Sequence, residues 1–136
     1  MEEKFYSGGY LYNPKTQSVL LHLRDGKTTI NPHKWAFFGG ASEEGEAPVV
    51  TFIREMHEEL GICILPDEVK LLRDYMNNER DIHRYVFFVE SETAKEHMQL
   101  GEGADFGWIP LRKVFQYDIT DKTREDLEYF VSHIVK

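Results

Sequence analysis

The chain has 136 residues, 41% of them hydrophobic and 29% charged, with a formal net charge of −8. That length fits one domain with a real core, and the composition is that of a soluble globular protein. The acidic balance argues against nonspecific binding to a nucleic acid polymer, which needs a basic surface. A small phosphorylated anion stays open, provided cations lie between the two sets of negative charge.

The first elements in chain order are two strands. Phe5 to Tyr12 mixes aromatics with glycine, Asn13-Pro14-Lys15 is a turn, and Ser18 to Arg24 (SVLLHLR) completes a hairpin. Asp25 to Lys34 reads as a polar loop, and Trp35 to Gly40 (WAFFGG) as a short apolar run that ends in two glycines. Ala47 to Leu60 reads as a helix stopped by Gly61. Val69 to Met76, His83 to Glu90 and Phe106 to Ile109 read as strands. Asp121 to Ile134 is a C-terminal helix, with Asp121 as its cap and Leu127, Phe130, Val131 and Ile134 at helical spacing. Strands on both sides of a central helix predict an α/β fold, a mixed sheet covered by helices, with residues 1–136 forming one domain.

Cys63 is the one cysteine, so no intrachain disulfide forms; it is expected to be a small buried residue. The first five residues lack the basic and apolar regions of a signal peptide, and no apolar run approaches the ~20 residues that span a bilayer. A cytoplasmic location without membrane contact is therefore expected.

The helix Ala47 to Leu60 carries the chemistry. Glu55, Glu58 and Glu59 fall at i, i+3 and i+4 and crowd one face, while Val49, Ile53, Met56 and Leu60 make a separate apolar arc. Arg54 lies one turn before Glu58 and can pair with it. Acidic runs on helices are usually just solvated faces. Here the like charges repel, and they sit toward the helix C-terminus, where they oppose its dipole. A divalent cation bound by oxygen ligands, magnesium or manganese rather than zinc, relieves both penalties.

The surrounding residues are more specific. Gly40 to Ile62 (GASEEGEAPVVTFIREMHEELGI) fits G-x5-E-x7-R-E-U-x-E-E-x-G-U, where U is a bulky apolar residue. The fixed positions are Gly40, Glu46, Arg54, Glu55, Glu58, Glu59 and Gly61. Average residue frequencies put a chance match on the order of one in a million. The segment resembles the signature of the Nudix hydrolase family, and the strand order around it resembles that family's α/β/α sandwich.

The resemblance implies that Glu55, Glu58, Glu59 and the backbone carbonyl of Gly39 are metal ligands. It also implies that Arg54 orients the glutamates, that Glu46 supports the loop and this arginine, and that Gly40 and Gly61 are turn positions. Two departures from the commonest pattern are Phe38, where proline often precedes the glycines, and Ala47, where threonine or serine often caps the helix. An alanine cap costs roughly 1 kcal/mol against threonine, and neither change removes a chemical group.

Outside the motif, Glu102 resembles a loop glutamate of the mutator-type nucleotide pyrophosphohydrolases that serves as metal ligand or general base; a solvated loop acid is the alternative. Arg24 ends the second strand, where it can contact substrate phosphate or be a plain surface arginine. Trp35 and Phe38 flank the glycine loop and can stack on a base or pack in the core, and Gly40 lets backbone approach the phosphate. Tyr75, Tyr85 and Trp108 are expected in the core or at its rim. His57-Glu58-Glu59-Leu60 is not a zinc protease motif, because Gly61 stands where histidine is needed.

The resemblance implies a magnesium-dependent hydrolase, with manganese as a substitute, that cleaves a phosphoanhydride in a nucleoside diphosphate derivative. A nucleoside triphosphate giving monophosphate and pyrophosphate is the expected substrate; ADP-ribose, nucleotide sugars and dinucleoside polyphosphates are alternatives. A non-catalytic nucleotide-binding regulator on the same fold is the competing class, but such proteins usually lack one or more motif acids, and here all are present. A small nucleotide is the expected partner, and a homodimer is compatible with the sequence.

Overall fold

The computed structural model describes residues 3–26, 33–101 and 105–135. Its strands are β1 (Phe5–Asn13), β2 (Ser18–Leu23), β3 (Trp35–Ala36), β4 (Phe38–Ala41), β5 (Lys70–Asn77), β6 (Ile82–Glu90) and β7 (Asp105–Pro110). The helices are α1 (Pro48–Leu60), the short α2 (Leu111–Val114) and α3 (Asp121–His133). The strands form one mixed sheet in the order β3-β2-β1-β6-β5, with β4 also paired to β1 and β7 to β2. β1 runs parallel to β6, and the other pairs are antiparallel.

Successive side chains of a strand point to opposite faces, so the sheet builds two cores. Leu11, Leu20, Phe38, Phe87 and Val89 pack with Phe52, Met56 and Leu60 of α1. Tyr10, Tyr12, Val19, Leu21, Phe37, Val86 and Phe88 pack with Leu127 and Phe130 of α3. The expected mixed sheet between helices is therefore present.

Several details differ from the sequence reading. The Trp35–Gly40 run is divided at Phe37 between β3 and β4, which pair with β2 and β1 respectively. Thr120, not Asp121, caps α3, because its hydroxyl accepts from the Thr123 N–H at 3.3 Å. The buried stripe of α3 is Thr123, Asp126, Leu127 and Phe130; Val131 and Ile134 are exposed. Cys63 is also exposed, since it follows the end of α1 rather than lying on an apolar face. Among the described residues, no helix is long and apolar enough to cross a membrane.

Candidate active site

The site forms where α1 crosses the glycine strand β4. Ala47 precedes the helix without a side-chain cap and Pro48 opens it, a position where a missing N–H costs nothing. Gly61 ends it in the left-handed region at φ 69°, its N–H donating to His57 O at 2.8 Å. The hydroxyl of Ser7 on β1 donates to Pro48 O at 2.7 Å and fixes the start of the helix to the sheet.

Two of the three glutamates turn from the helix onto β4. Glu59 Oε2 accepts from the Gly39 N–H at 3.0 Å. Glu55 lies so close over Gly40 that a Cβ there would collide with its carboxylate. Gly39 has φ 154°, and a Cβ on it would meet Gly8 Cα at 2.5 Å and Ser7 O at 2.6 Å. Gly39 is thus demanded by its close approach to the backbone of β1, whereas at Gly40 the carboxylate end of Glu55 takes the space a Cβ would fill.

Arg54 is the hub of the acids. Its Nε donates to Glu46 Oε2 at 2.7 Å and Nη2 to Glu46 Oε1 at 3.1 Å, a two-bond clamp. Nη1 reaches both Glu58 oxygens at 3.3 Å and stands 3.7 Å from Glu55 Oε1, while Nη2 also donates to Ala41 O at 3.2 Å. Glu46 in turn accepts from the Glu43 N–H and the Thr51 hydroxyl, each at 2.8 Å. The bond from Arg54, helped by those donors, holds the Glu46 carboxyl down at about 2, well below the usual carboxylate range. The same bond pushes Arg54 further up.

The described carboxylates present an all-oxygen donor set of the kind that hard divalent cations take. Glu58 is turned toward Arg54, and among the described residues no three His, Cys, Asp or Glu side chains already stand grouped around one point.

Glu102 lies outside the described residues. Just before it, Gly101 N–H donates to Glu59 O at 2.7 Å and Gln99 N–H to Leu60 O at 3.0 Å, so this chain segment caps the last carbonyls of α1. Arg24 follows β2, and its charge acts on both Tyr6 and His22. Phe38 is wholly buried in the core, with its ring stacked on His22 at 4.9 Å. Trp35 is partly buried on the α3 side, edge-on to Tyr117 at 5.9 Å, and its backbone N–H donates to Asp118 O at 2.8 Å.

The sequence reading did not find Thr51, Ser7, His22, Tyr6, Arg84 or Asp126. The visible signals were Arg84 next to the apolar run YVFFV, and Asp126 at the helical spacing of Thr123, Leu127 and Phe130.

The family model for the NUDIX domain matches residues 6–131. The nucleoside triphosphatase NudI of Escherichia fergusonii is 26% identical over 108 residues, covering 72% of this chain and 77% of that protein. A MutT structure, from work on Aliivibrio salmonicida and Vibrio cholerae, superposes with a TM-score of 0.80 at 17% identity, covering 98% of this chain and 100% of that one. The NUDIX domain of Shewanella oneidensis NrtR, solved with ADP-ribose, gives 0.74 at 19% identity, covering 96% and 86%. The two structures show the fold that this chain shares.

Proposed function

This chain belongs to the Nudix family of acid-anhydride pyrophosphohydrolases, and we propose that it hydrolyses a nucleoside triphosphate to the monophosphate and pyrophosphate with magnesium. The carrying observation is the convergence of Glu55 and Glu59 on Gly39–Gly40, beside a Glu58 held by Arg54. Residues 1–136 act as one domain in this reading.

Glu55, Glu58, Glu59 and the Gly39 carbonyl would hold the magnesium, with manganese as a substitute. When bound, the cation neutralises phosphate oxygens and lowers the pKa of a coordinated water. Arg54, fixed on Glu46, holds Glu58 and steadies the acid face. Gly40 leaves room for backbone to approach the phosphates, and Arg24 supplies positive charge to them. Water adds its oxygen to a phosphorus, the bridging P–O bond breaks, and the attacking water's proton passes to a carboxylate.

Glu102 is our candidate for that proton acceptor. Loss of a general base typically costs about 10²–10⁴ in rate. Glu102→Gln is therefore expected to lower kcat by at least about tenfold with a smaller change in KM. A wild-type kcat would return the role to the acids of α1 or of the Glu43–Glu44 loop.

Support for the triphosphate comes from the likeness to a nucleoside triphosphatase. The fold shared with an ADP-ribose-binding domain makes ADP-ribose the second substrate to test. The deciding experiment is a panel of nucleoside triphosphates, ADP-ribose, nucleotide sugars and dinucleoside polyphosphates, assayed with magnesium for released phosphate and pyrophosphate. Turnover should favour a triphosphate and stop in excess chelator; undiminished turnover in chelator would refute the metal mechanism. Binding of nucleotides without turnover would make the chain a regulator.

A further inference from the structure

Thr51 is a polar residue on the buried face of α1, 0% exposed, in company with Phe52, Met56 and Leu60. A hydroxyl held this deep costs free energy unless it is hydrogen-bonded. A helical threonine can give its proton to the carbonyl one turn back. Here that carbonyl, Ala47 O, stands at 3.4 Å, while Glu46 Oε1 stands at 2.8 Å. The carboxylate therefore takes the proton, and the hydroxyl ties the loop before α1 to the buried side of the helix.

Thr51, Arg54, Glu55 and Glu58 fall at i, i+3, i+4 and i+7, along one stripe of α1. Glu46 Oε1 accepts from Thr51, from the Glu43 N–H at 2.8 Å and from Arg54 Nη2 at 3.1 Å, and Oε2 accepts from Arg54 Nε at 2.7 Å. Of the two donors other than the arginine, Glu43 belongs to the exposed loop, and Thr51 is fixed in the helix that bears the acids.

A guanidinium is a rigid plane, so Nη1 of Arg54 moves with the edge that grips Glu46. That corner lies 3.3 Å from both oxygens of Glu58 and 3.7 Å from Glu55 Oε1. The place of Glu46 thus decides where Arg54 holds Glu58 and how near its charge comes to Glu55.

We propose that Thr51 is a positioning residue of the metal site: its hydroxyl sets the place of Glu46 and, through Glu46 and Arg54, the place of the Glu58 and Glu55 carboxylates. It touches neither cation nor substrate. This inference rests on the reading of those glutamates as cation ligands, and adds a residue that acts on them through two others.

The test is binding of manganese to the nucleotide-free protein, read from the loss of the free ion's electron paramagnetic resonance signal, so that turnover does not enter. Thr51→Val keeps the shape of the side chain and removes the hydroxyl, whereas Thr51→Ser keeps the hydroxyl and removes the methyl. Thr51→Val should weaken manganese binding by about three- to tenfold, just under the loss of about tenfold or more that follows removal of a residue touching a ligand. Thr51→Ser should bind as the wild type does, although its melting temperature falls with the lost methyl. Thr51→Ala removes the same hydroxyl with a better helix former, and gives the same answer if the valine crowds Glu46 and does not fold. In a Glu46→Ala background, Thr51→Val should change the affinity by less than about twofold, because the hydroxyl has lost its acceptor.

Wild-type affinity in the valine and alanine variants would overturn the inference. So would a serine variant as weak as the valine one, or a full effect of Thr51→Val without Glu46. Glu58→Gln separates this inference from the reading beneath it. If that variant binds manganese like the wild type, or the wild type binds none, the metal reading falls and this one with it. If Glu58→Gln weakens binding and Thr51→Val does not, only the role of Thr51 fails.

Discussion

At the scale of single residues, Arg54 is what holds a row of repelling acids together. The (i, i+4) spacing to Glu58 made one of its contacts legible. The closer contact, to Glu46 at 2.7 Å, depends on the loop before α1 folding back; helical spacing does not encode it, and only the resemblance of the whole motif implied it. That contact has a pH signature. Glu46 titrates near 2 in the folded chain and near 4.5 as an ordinary carboxyl. A depressed carboxyl contributes stability that is fully present above about 4.5 and is lost as pH falls toward 2, because the unfolded chain takes up the proton first. Glu46→Gln keeps the shape and removes the charge. Its melting temperature should fall furthest below the wild type above pH 4.5, and the two curves should converge as pH approaches 2. A gap of constant size across that window would mean that Glu46 acts through shape alone.

At the scale of elements, the site is one helix laid across one strand, and its steric partners differ in how far they can yield. A Cβ at Gly40 would meet the end of a flexible glutamate, whereas at Gly9 it would drive into the backbone carbonyl of Phe87 on β6. Gly40→Ala should therefore fold with a nearly unchanged melting temperature while pushing Glu55 off its position. A displacement of about 1 Å at reacting groups can cost on the order of 10² in rate, so kcat/KM should fall by about that factor. Gly9→Ala should instead abolish the folded state, because β1 and β6 would have to separate. Circular dichroism melts and initial rates on both proteins check the pair; a fully active Gly40→Ala would remove the steric argument for that glycine. The sequence made α1 and its Gly61 stop legible because motif, apolar arc and terminator agree. It left β3 and β4 merged because Trp35 to Gly40 is uniformly apolar, and their division is set by which partner strand each half finds. Phe38 shows the same limit: its flanking position left base contact and core packing both open, and the packing against His22 and α1 places it in the core.

At the scale of the whole molecule, the sheet separates two kinds of interior. The α1 side buries polar groups such as Ser7, Thr51 and His22 but no carboxylate as deep as Asp126, which on the α3 side is fully buried and joined to Arg73, Arg84 and Tyr75 on two strands. In the sequence α3 read as an amphipathic helix on Leu127, Phe130, Val131 and Ile134, a stripe that does not single out Asp126. Its partners lie 42 to 53 residues away in the chain, and a pairing that distant has no local pattern. The network also determines how α3 is held, because the helix contributes few large apolar groups: Leu127 and Phe130 are its fully buried hydrophobic residues. Buried ion networks of this kind are costly to break on one side, since the remaining charges stay desolvated and unpaired. Asp126→Asn preserves volume and one oxygen but leaves two guanidinium groups with no counter-charge. It should destabilise the fold by about 3–5 kcal/mol, the usual result of removing one partner of a buried pair, and lower the melting temperature by roughly 10 °C or more for a chain of this size. Denaturant and thermal unfolding of the purified variant measure both. A loss below about 1 kcal/mol, the typical value for an exposed pair, would mean that water reaches Asp126 and that α3 is held by its two hydrophobic contacts alone.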